Sequence, residues 1–262
     1  MISGFRTSSA GSMGLPAGVL RLDYHSALDG AADWALFRPD ERTRMVIVGL
    51  HGHGSGGDQF YTRPDLARAW LPLLCGTGCG LLTPNLRGNA WMAPSAAADL
   101  RALLQHVRQE YGVLRFVLLG GSMGGTGALI YSVLHPEDVA GVIAVCPATD
   151  IGAYHGWCLR RGHPPVLLEI AAAIRAAYGG SPEERPGVYA QHSCLARAGR
   201  LAMPVYLAHG DADEIIPVGQ SRTLRDALPS HSLLYRERAG GGHDAPLTAA
   251  VLREGLGRVL PT

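Results

Sequence analysis

The stretch Arg115-Phe-Val-Leu-Leu-Gly-Gly-Ser-Met-Gly-Gly-Thr-Gly-Ala-Leu-Ile130 decides how the rest of the chain is read. Arg115 to Leu119 is a short apolar run, the pattern of a strand buried on both faces of a parallel sheet. Thr126 to Leu134 is small and apolar without a breaker, and reads as a buried helix. Between them Gly120-Gly121-Ser122-Met123-Gly124 carries the pattern G-x-S-x-G. A serine on a sharp strand-to-helix turn projects its hydroxyl above the sheet, and it needs small neighbours because strand and helix pass so closely. The positive end of the following helix points at whatever gathers near that hydroxyl. Many Gly/Ser turns match G-x-S-x-G alone. The strand before, the helix after and the extra glycines at 120 and 125 make Ser122 a candidate nucleophile.

Upstream, Gly18–His25 and Ala32–Phe37 read as two strands joined by an Asp29-Gly30 hairpin turn, after a loose Ser/Gly-rich lead-in over 1–16. Met45–Leu50 is the first fully apolar run and hence a central strand, ending in the glycine loop His51-Gly-His-Gly-Ser-Gly-Gly57. Asp65–Leu74 reads as helix, Gly80–Pro84 as strand, and Ser95–Arg108 as an amphipathic helix with Ser95 as its cap. Downstream, Val139–Cys146, Pro204–Ala208 and Ser232–Tyr235 complete the strands. Residues 150–200 break the alternation at greater length than a crossover needs, which predicts a small cap inserted over the sheet's C-terminal edge. Alternating strands and helices without repeat or linker predict one α/β domain over 1–262, a mostly parallel sheet covered on both faces.

Composition narrows the function classes. A chain that is 47% hydrophobic and only 17% charged can fold around a substantial core, which excludes disorder. A net charge of +1 with no basic block argues against nucleic acid. All 23 basic residues are arginine, so a Ser-Lys dyad, a Schiff base and a P-loop lysine are excluded. The 5 cysteines form no C-x-x-C pair and read as free thiols in a reducing compartment. Neither a signal-type apolar core nor a run of about 18 apolar residues occurs, so the expectation is a cytoplasmic protein without membrane contact.

In such sheets chemistry collects at strand ends. Leu207-Ala-His-Gly-Asp-Ala-Asp-Glu-Ile-Ile-Pro217 runs from a strand into an acidic turn, and Ala239-Gly-Gly-Gly-His-Asp-Ala-Pro246 follows the last strand. Serine is a poor nucleophile until a histidine takes its proton and a carboxylate holds that imidazole in one tautomer. The order Ser, Asp, His, the elbow, the His-Gly-x-x-Asp-x-x-Ile-Pro turn and the late Gly-His together resemble the α/β-hydrolase fold, over roughly residues 18–260. Within that superfamily the chain is similar to prolyl-oligopeptidase-like and esterase D-like serine hydrolase domains.

This resemblance implies Ser122 as nucleophile, His243 as base and Asp213 as the acid, with Asp211 the rival and Asp244 a solvated neighbour of the base. It gives His209 to the turn and not to the chemistry. Oxyanion donors would be the backbone N–H groups of Met123 and of His53, or of Gly54 in place of His53, each contributing about 3–4 kcal/mol. Trp91, Tyr61 and Trp157 are candidate pocket walls, and Arg87 borders either the pocket or only a turn. The His51-x-His53 pair with Asp58 lacks the further ligands of a metal site, so neither metal nor cofactor is expected. Only about 45 residues precede the first central strand, too few for the propeller that peptidases of this kind carry. The expected activity is therefore a carboxylesterase acting through an acyl-enzyme on a small-molecule ester, acyl or feruloyl sugar esters included. A prolyl-oligopeptidase-like peptidase or aminopeptidase and an acyltransferase are the alternatives. Oligomeric state is left open.

Overall fold

Alternation along the central strands divides their side chains between two cores. Val46, Val48 and Leu50 face one side, while Met45 and Ile47 face the other. Leu118 and Val117 divide in the same way, as do Leu207 and Tyr206. The computed structural model describes residues 3–40, 42, 44–229 and 232–260. Among these residues nine strands form one sheet: β1 (Ser3–Ser9), β2 (Leu20–His25), β3 (Ala32–Arg38), β4 (Met45–Leu50), β5 (Gly80–Pro84), β6 (Arg115–Gly121), β7 (Val139–Val145), β8 (Val205–Gly210) and β9 (Leu233–Arg238). Their spatial order is β1-β2-β3-β5-β4-β6-β7-β8-β9. The β1-β2, β2-β3 and β3-β5 pairs are antiparallel and all later ones parallel.

The helices are α1 (Gln59–Thr62), α2 (Pro64–Ala69), α3 (Leu71–Gly76), α4 (Pro94–Tyr111), α5 (Met123–Leu134), α6 (Ile151–Arg161), α7 (Val166–Tyr178), α8 (Pro186–Gln191), α9 (Gly219–Ala227) and α10 (Ala249–Val259). Side chains of α4 to α9 pack into the first core, and those of α1, α2, α3 and α10 into the second. None of the helices is long and apolar enough to cross a membrane among the described residues.

Four local expectations need correction. The segment 1–16 is no loose lead-in where it is described. Ser3–Ser9 is an edge strand, and a single 3-10 turn follows over Ala10–Met13. Phe5 stacks on the His106 ring at 3.5 Å between centroids, and Ala10 is fully buried, which anchors a polar-looking strand from its few apolar residues. Met1 and Ile2 lie outside the described residues. The helix read over Asp65–Leu74 is broken in two at Trp70, just before Pro72, whose ring cannot continue it. Ser95 does not cap α4: the helix starts at Pro94, with Ala93 in the cap position and no side-chain cap bond. The helix after Ser122 begins at once, at Met123, not at Thr126.

Helix α10 provides a test of the layered packing within a single element. A Cβ on Gly255 would meet Ile143 and Tyr206 at 3.1 Å, both fully buried in the sheet below. One on Gly257 would meet nothing within 4 Å. Gly257→Ala should raise unfolding free energy by up to about 1 kcal/mol through helix propensity. Gly255→Ala should lower it by about 1–3 kcal/mol through overpacking. Urea unfolding of both variants checks the opposite signs.

Candidate active site

The turn between β6 and α5 is built by close approach of backbone. A Cβ on Gly124 would run into the Leu50 carbonyl oxygen, and one on Gly120 into the Gly124 carbonyl carbon. No larger side chain fits either position. Ser122, between them, sits at φ 57°, ψ −124°, a left-handed conformation that costs a non-glycine residue about 1–3 kcal/mol. Neighbours hold it there. Ser122 N donates to Val145 O at 2.8 Å, and Thr126 donates through N and Oγ1 to Ser122 O at 2.9 and 3.1 Å. Thr126 Oγ1 in turn accepts from Ala148 N at 2.8 Å. Met123 opens α5, so its N–H is among those a helix leaves without an internal acceptor.

Ser122 and His243 border one cavity of about 210 Å³. Its apolar floor is Leu50, Phe60, Leu66, Trp70, Val145 and Leu247, and its polar rim includes His53, Gln59, Arg63 and Asp244. Among the described residues no hydrogen bond joins Ser122 to His243; such contacts are often loose before substrate closes them. The other side of the imidazole is fixed, with His243 Nδ1 lying 2.7 Å from Asp213 Oδ2. Asp213 Oδ1 accepts from the N–H groups of Ile215 and Ile216 at 2.8 and 2.9 Å, and His209 Nε2 lies 3.2 Å from Oδ2. Burial alone would push this carboxyl up. The bonds from His209 and His243, the His243 charge and the Ile216 N–H outweigh it and hold Asp213 well below the usual carboxylate range.

Asp211 makes a different contact. Asp211 Oδ1 accepts from Gly240 N at 2.6 Å, so Asp211 ties down the glycine turn that leads to His243. Asp244 is not a merely solvated neighbour: it pairs with Arg63 at 3.0 Å on the cavity rim. His209 is fully buried between Ser221 Oγ at 2.7 Å and Ile216 O at 2.9 Å, and its approach to Asp213 adds a contact to the acid that the sequence did not suggest. Cys146 was also missed. Its thiol donates to His243 O at 3.1 Å, and burial pushes that thiol up, so it buttresses His243 as a neutral group.

In the glycine loop, Gly52 N donates to Gln59 Oε1 and Gly54 N to Asn89 Oδ1, both at 2.8 Å. Of the two alternatives for the second oxyanion donor, the Gly54 N–H is thus engaged, while that of His53 has no protein acceptor among the described residues. His51 is buried, with its ring nitrogens 2.9 and 2.7 Å from Gly52 O and Asn85 O, a turn-building role.

Of the three aromatic pocket walls, Tyr61 and Trp157 do not stand where expected, and Trp91 lines a cleft of about 20 Å³ beside Met123 rather than the cavity of Ser122. Trp91 is buried, and its indole N–H donates to His53 Nδ1 at 3.2 Å, so it reaches the cavity only through that ring. Tyr61 packs into the apolar clusters with its hydroxyl buried, and Trp157 stacks on Tyr154. Neither lines the cavity, whose aromatic walls are Phe60 and Trp70. Arg87 is structural, paired with Asp29 at 2.7 Å and Asp99 at 2.6 Å. No residue of 150–200 lines the cavity. That segment forms α6, α7, α8 and a 3-10 turn and grips the strand-end loop at Trp91 and Met92 instead.

Comparison with known proteins agrees with this architecture. The family described as the alpha/beta hydrolase fold matches residues 46–170. A homoserine O-acetyltransferase of Corynebacterium jeikeium is 26% identical over 97% of this chain and 74% of its own length. A monoacylglycerol lipase of Mycolicibacterium smegmatis is 25% identical over 80% of this chain and 84% of its own. A puromycin-hydrolyzing peptidase of Mycobacterium tuberculosis superposes with a TM-score of 0.63 at 18% identity, covering 96% of this chain; the chain spans only 38% of that protein. Sheet order, elbow and matched relatives converge on one architecture, and the chain has the α/β-hydrolase fold.

Proposed function

We propose that this protein is a serine hydrolase that cleaves a carboxylic ester through an acyl-enzyme on Ser122. The observation that carries this reading is the shared cavity of Ser122 and His243, with the far nitrogen of His243 bound to a buried, ionised Asp213. With its proton on Nδ1 and shared with Asp213, the imidazole presents Nε2 as a base. His243 takes the hydroxyl proton as Ser122 Oγ attacks the ester carbonyl. The oxyanion that forms is met by the N–H groups of Met123 and His53. Collapse of the intermediate breaks the bond to the alcohol, which leaves with the proton from His243. Water, deprotonated by the same histidine, then adds to the acyl carbon and releases the acid.

An ester of a neutral acyl group suits the cavity better than a free N-terminal peptide. The floor is apolar, and among the described residues the one carboxylate on its rim, Asp244, already has Arg63 as its partner, a guanidinium that it shares with Asp65. The lipase relative supports the same reading. Transfer of the acyl group to an alcohol in place of water is the second reading, favoured by the acetyltransferase relative that aligns with nearly the whole chain.

A panel of p-nitrophenyl esters of rising chain length, run beside aminoacyl and prolyl amides and with added acceptor alcohols, separates these activities. Hydrolysis of the esters alone is the expected result. Turnover of the amides only would overturn it. A fluorophosphonate should label Ser122, read by peptide mass mapping, and Ser122→Ala should lower kcat by on the order of 10⁶.

Asp213→Asn should cost on the order of 10⁴ in kcat by upsetting the imidazole tautomer. Asp211→Asn keeps the oxygen that accepts from Gly240 and should cost less than about tenfold. Parallel kinetics on the two folded variants check the assignment, and a dead Asp211 variant would contradict it.

Stability should carry the same signature. The Asp213 carboxyl titrates lower in the folded chain than the ordinary value of about 3.9, so the unfolded chain binds the extra proton. Its stabilising contribution is therefore full above pH ~4 and is lost as pH falls through the folded value. The stability gap between wild type and Asp213→Asn, measured by urea unfolding, should be widest near neutrality and narrow below pH ~4.

A further inference from the structure

The strand-end loop between β5 and α4 is bent in a way that nothing in the reaction above explains. Leu86, Arg87, Trp91 and Met92 all have left-handed backbone, with φ between 46° and 60°. Such residues persist only where surroundings dictate them, and here they do. Arg87 pairs with Asp29 and Asp99 through its guanidinium and donates from its backbone N to Asp33 Oδ2 at 2.7 Å. Asn85 Nδ2 donates to the other Asp33 oxygen at 2.9 Å. Tyr178 from α7 donates to Trp91 O at 3.1 Å, and His192 Nδ1 sits 2.9 Å from Met92 O.

What this rigid loop presents is a set of grips on the glycine loop. Asn85 O holds the His51 ring at 2.7 Å, Trp91 Nε1 holds the His53 ring at 3.2 Å, and Asn89 Oδ1 takes the Gly54 N–H at 2.8 Å. From the opposite wall, Gln59 Oε1 takes the Gly52 N–H at 2.8 Å. Ser55 N turns back to Gly52 O at 3.2 Å. From Gly52 to Ser55 each N–H except that of His53 is thus occupied.

We propose that Asn89, assisted by Gln59, is a positioning residue for the oxyanion donor. By occupying the N–H groups on either side, the two amide oxygens fix the peptide plane of His53 and leave its N–H open to a carbonyl oxygen bound at Ser122. This rests on the acyl-transfer reading of Ser122. The grip is worth most when charge develops on that oxygen, because a donor aimed in advance needs no rearrangement in the transition state. A merely structural contact would affect folding and not discriminate between ground and transition states.

The test compares wild type with Asn89→Leu and Asn89→Ala, two variants of different size that both lose the acceptor. Each is assayed for Tm, for kcat and KM on the best p-nitrophenyl ester, and for inhibition by a trifluoromethyl ketone, which adds Ser122 Oγ to form a tetrahedral oxyanion. The expected result is a loss of about 10- to 100-fold in kcat. KM should change less than about twofold, and the inhibitor should weaken by the same factor as kcat/KM. Activity within about twofold of wild type in both variants would overturn the proposal. So would a loss confined to KM, or a fall in kcat without weaker ketone binding. If wild type turns over esters but shows no adduct at Ser122, the acyl-transfer reading itself fails; an adduct with unaffected variants sinks only the role of Asn89.

Discussion

The constraint on which the site depends is the contact of β6 and α5 with the end of β4 at the elbow. Gly124 lies under the Leu50 carbonyl and Gly120 under Gly124, with no room for a β-carbon at either position. That approach turns the chain sharply enough to drive Ser122 into left-handed backbone, and it brings the first turn of α5 beside the start of the glycine loop. Ser122, the helix N-terminus and the glycine loop are thereby set by one packing event. The remaining residues of the candidate site arrive on other strand ends: Asp213 after β8 and His243 after β9. Parallel pairing of β4, β6, β7, β8 and β9 brings all these ends to the same edge of the sheet.

Around that edge the protein spends polar groups on orientation. Asp213 receives two backbone N–H groups and two histidines, so its charge is stabilised although little water reaches it. Asp211 holds the turn before His243, and Cys146 holds the carbonyl of His243 itself. Arg63 joins α2's N-terminal boundary to Asp244, next to the base, across the cavity rim. Among the described residues the arrangement leaves the His243 imidazole with one unpartnered nitrogen and few ways to move, as the proposed base would require.

Much of this was legible in the chain because the elbow, the acidic turn and the late Gly-His are local patterns with strict steric reasons. G-x-S-x-G marks where backbones touch, and His-Gly-x-x-Asp marks a strand end that turns into its next helix. The resemblance favoured Asp213 over Asp211, and it is the Asp213 carboxylate that lies 2.7 Å from His243. What escaped were contacts between residues distant in sequence. Gln59 and Asn89 reach backbone N–H groups 7 and 35 positions away, and no periodicity announces such a bond. The aromatic walls failed for a related reason: Trp91, Tyr61 and Trp157 are as apolar as Phe60 and Trp70, and only packing decides which rings face the cavity. The helix α6 was hidden by its glycines and its mixed aromatic and histidine content, which lack a clean helical stripe.

The central claim is that chemistry passes through an ester bond on Ser122. The most direct measurement is rapid mixing of the enzyme with its best p-nitrophenyl ester, followed through the first turnover and quenched for mass analysis. A burst of p-nitrophenol of about one equivalent per active chain, with the acyl mass found on the peptide that contains Ser122, is the predicted result where deacylation is the slow step. Release of p-nitrophenol during turnover with no acyl mass at Ser122, or with it on another residue, would contradict the account.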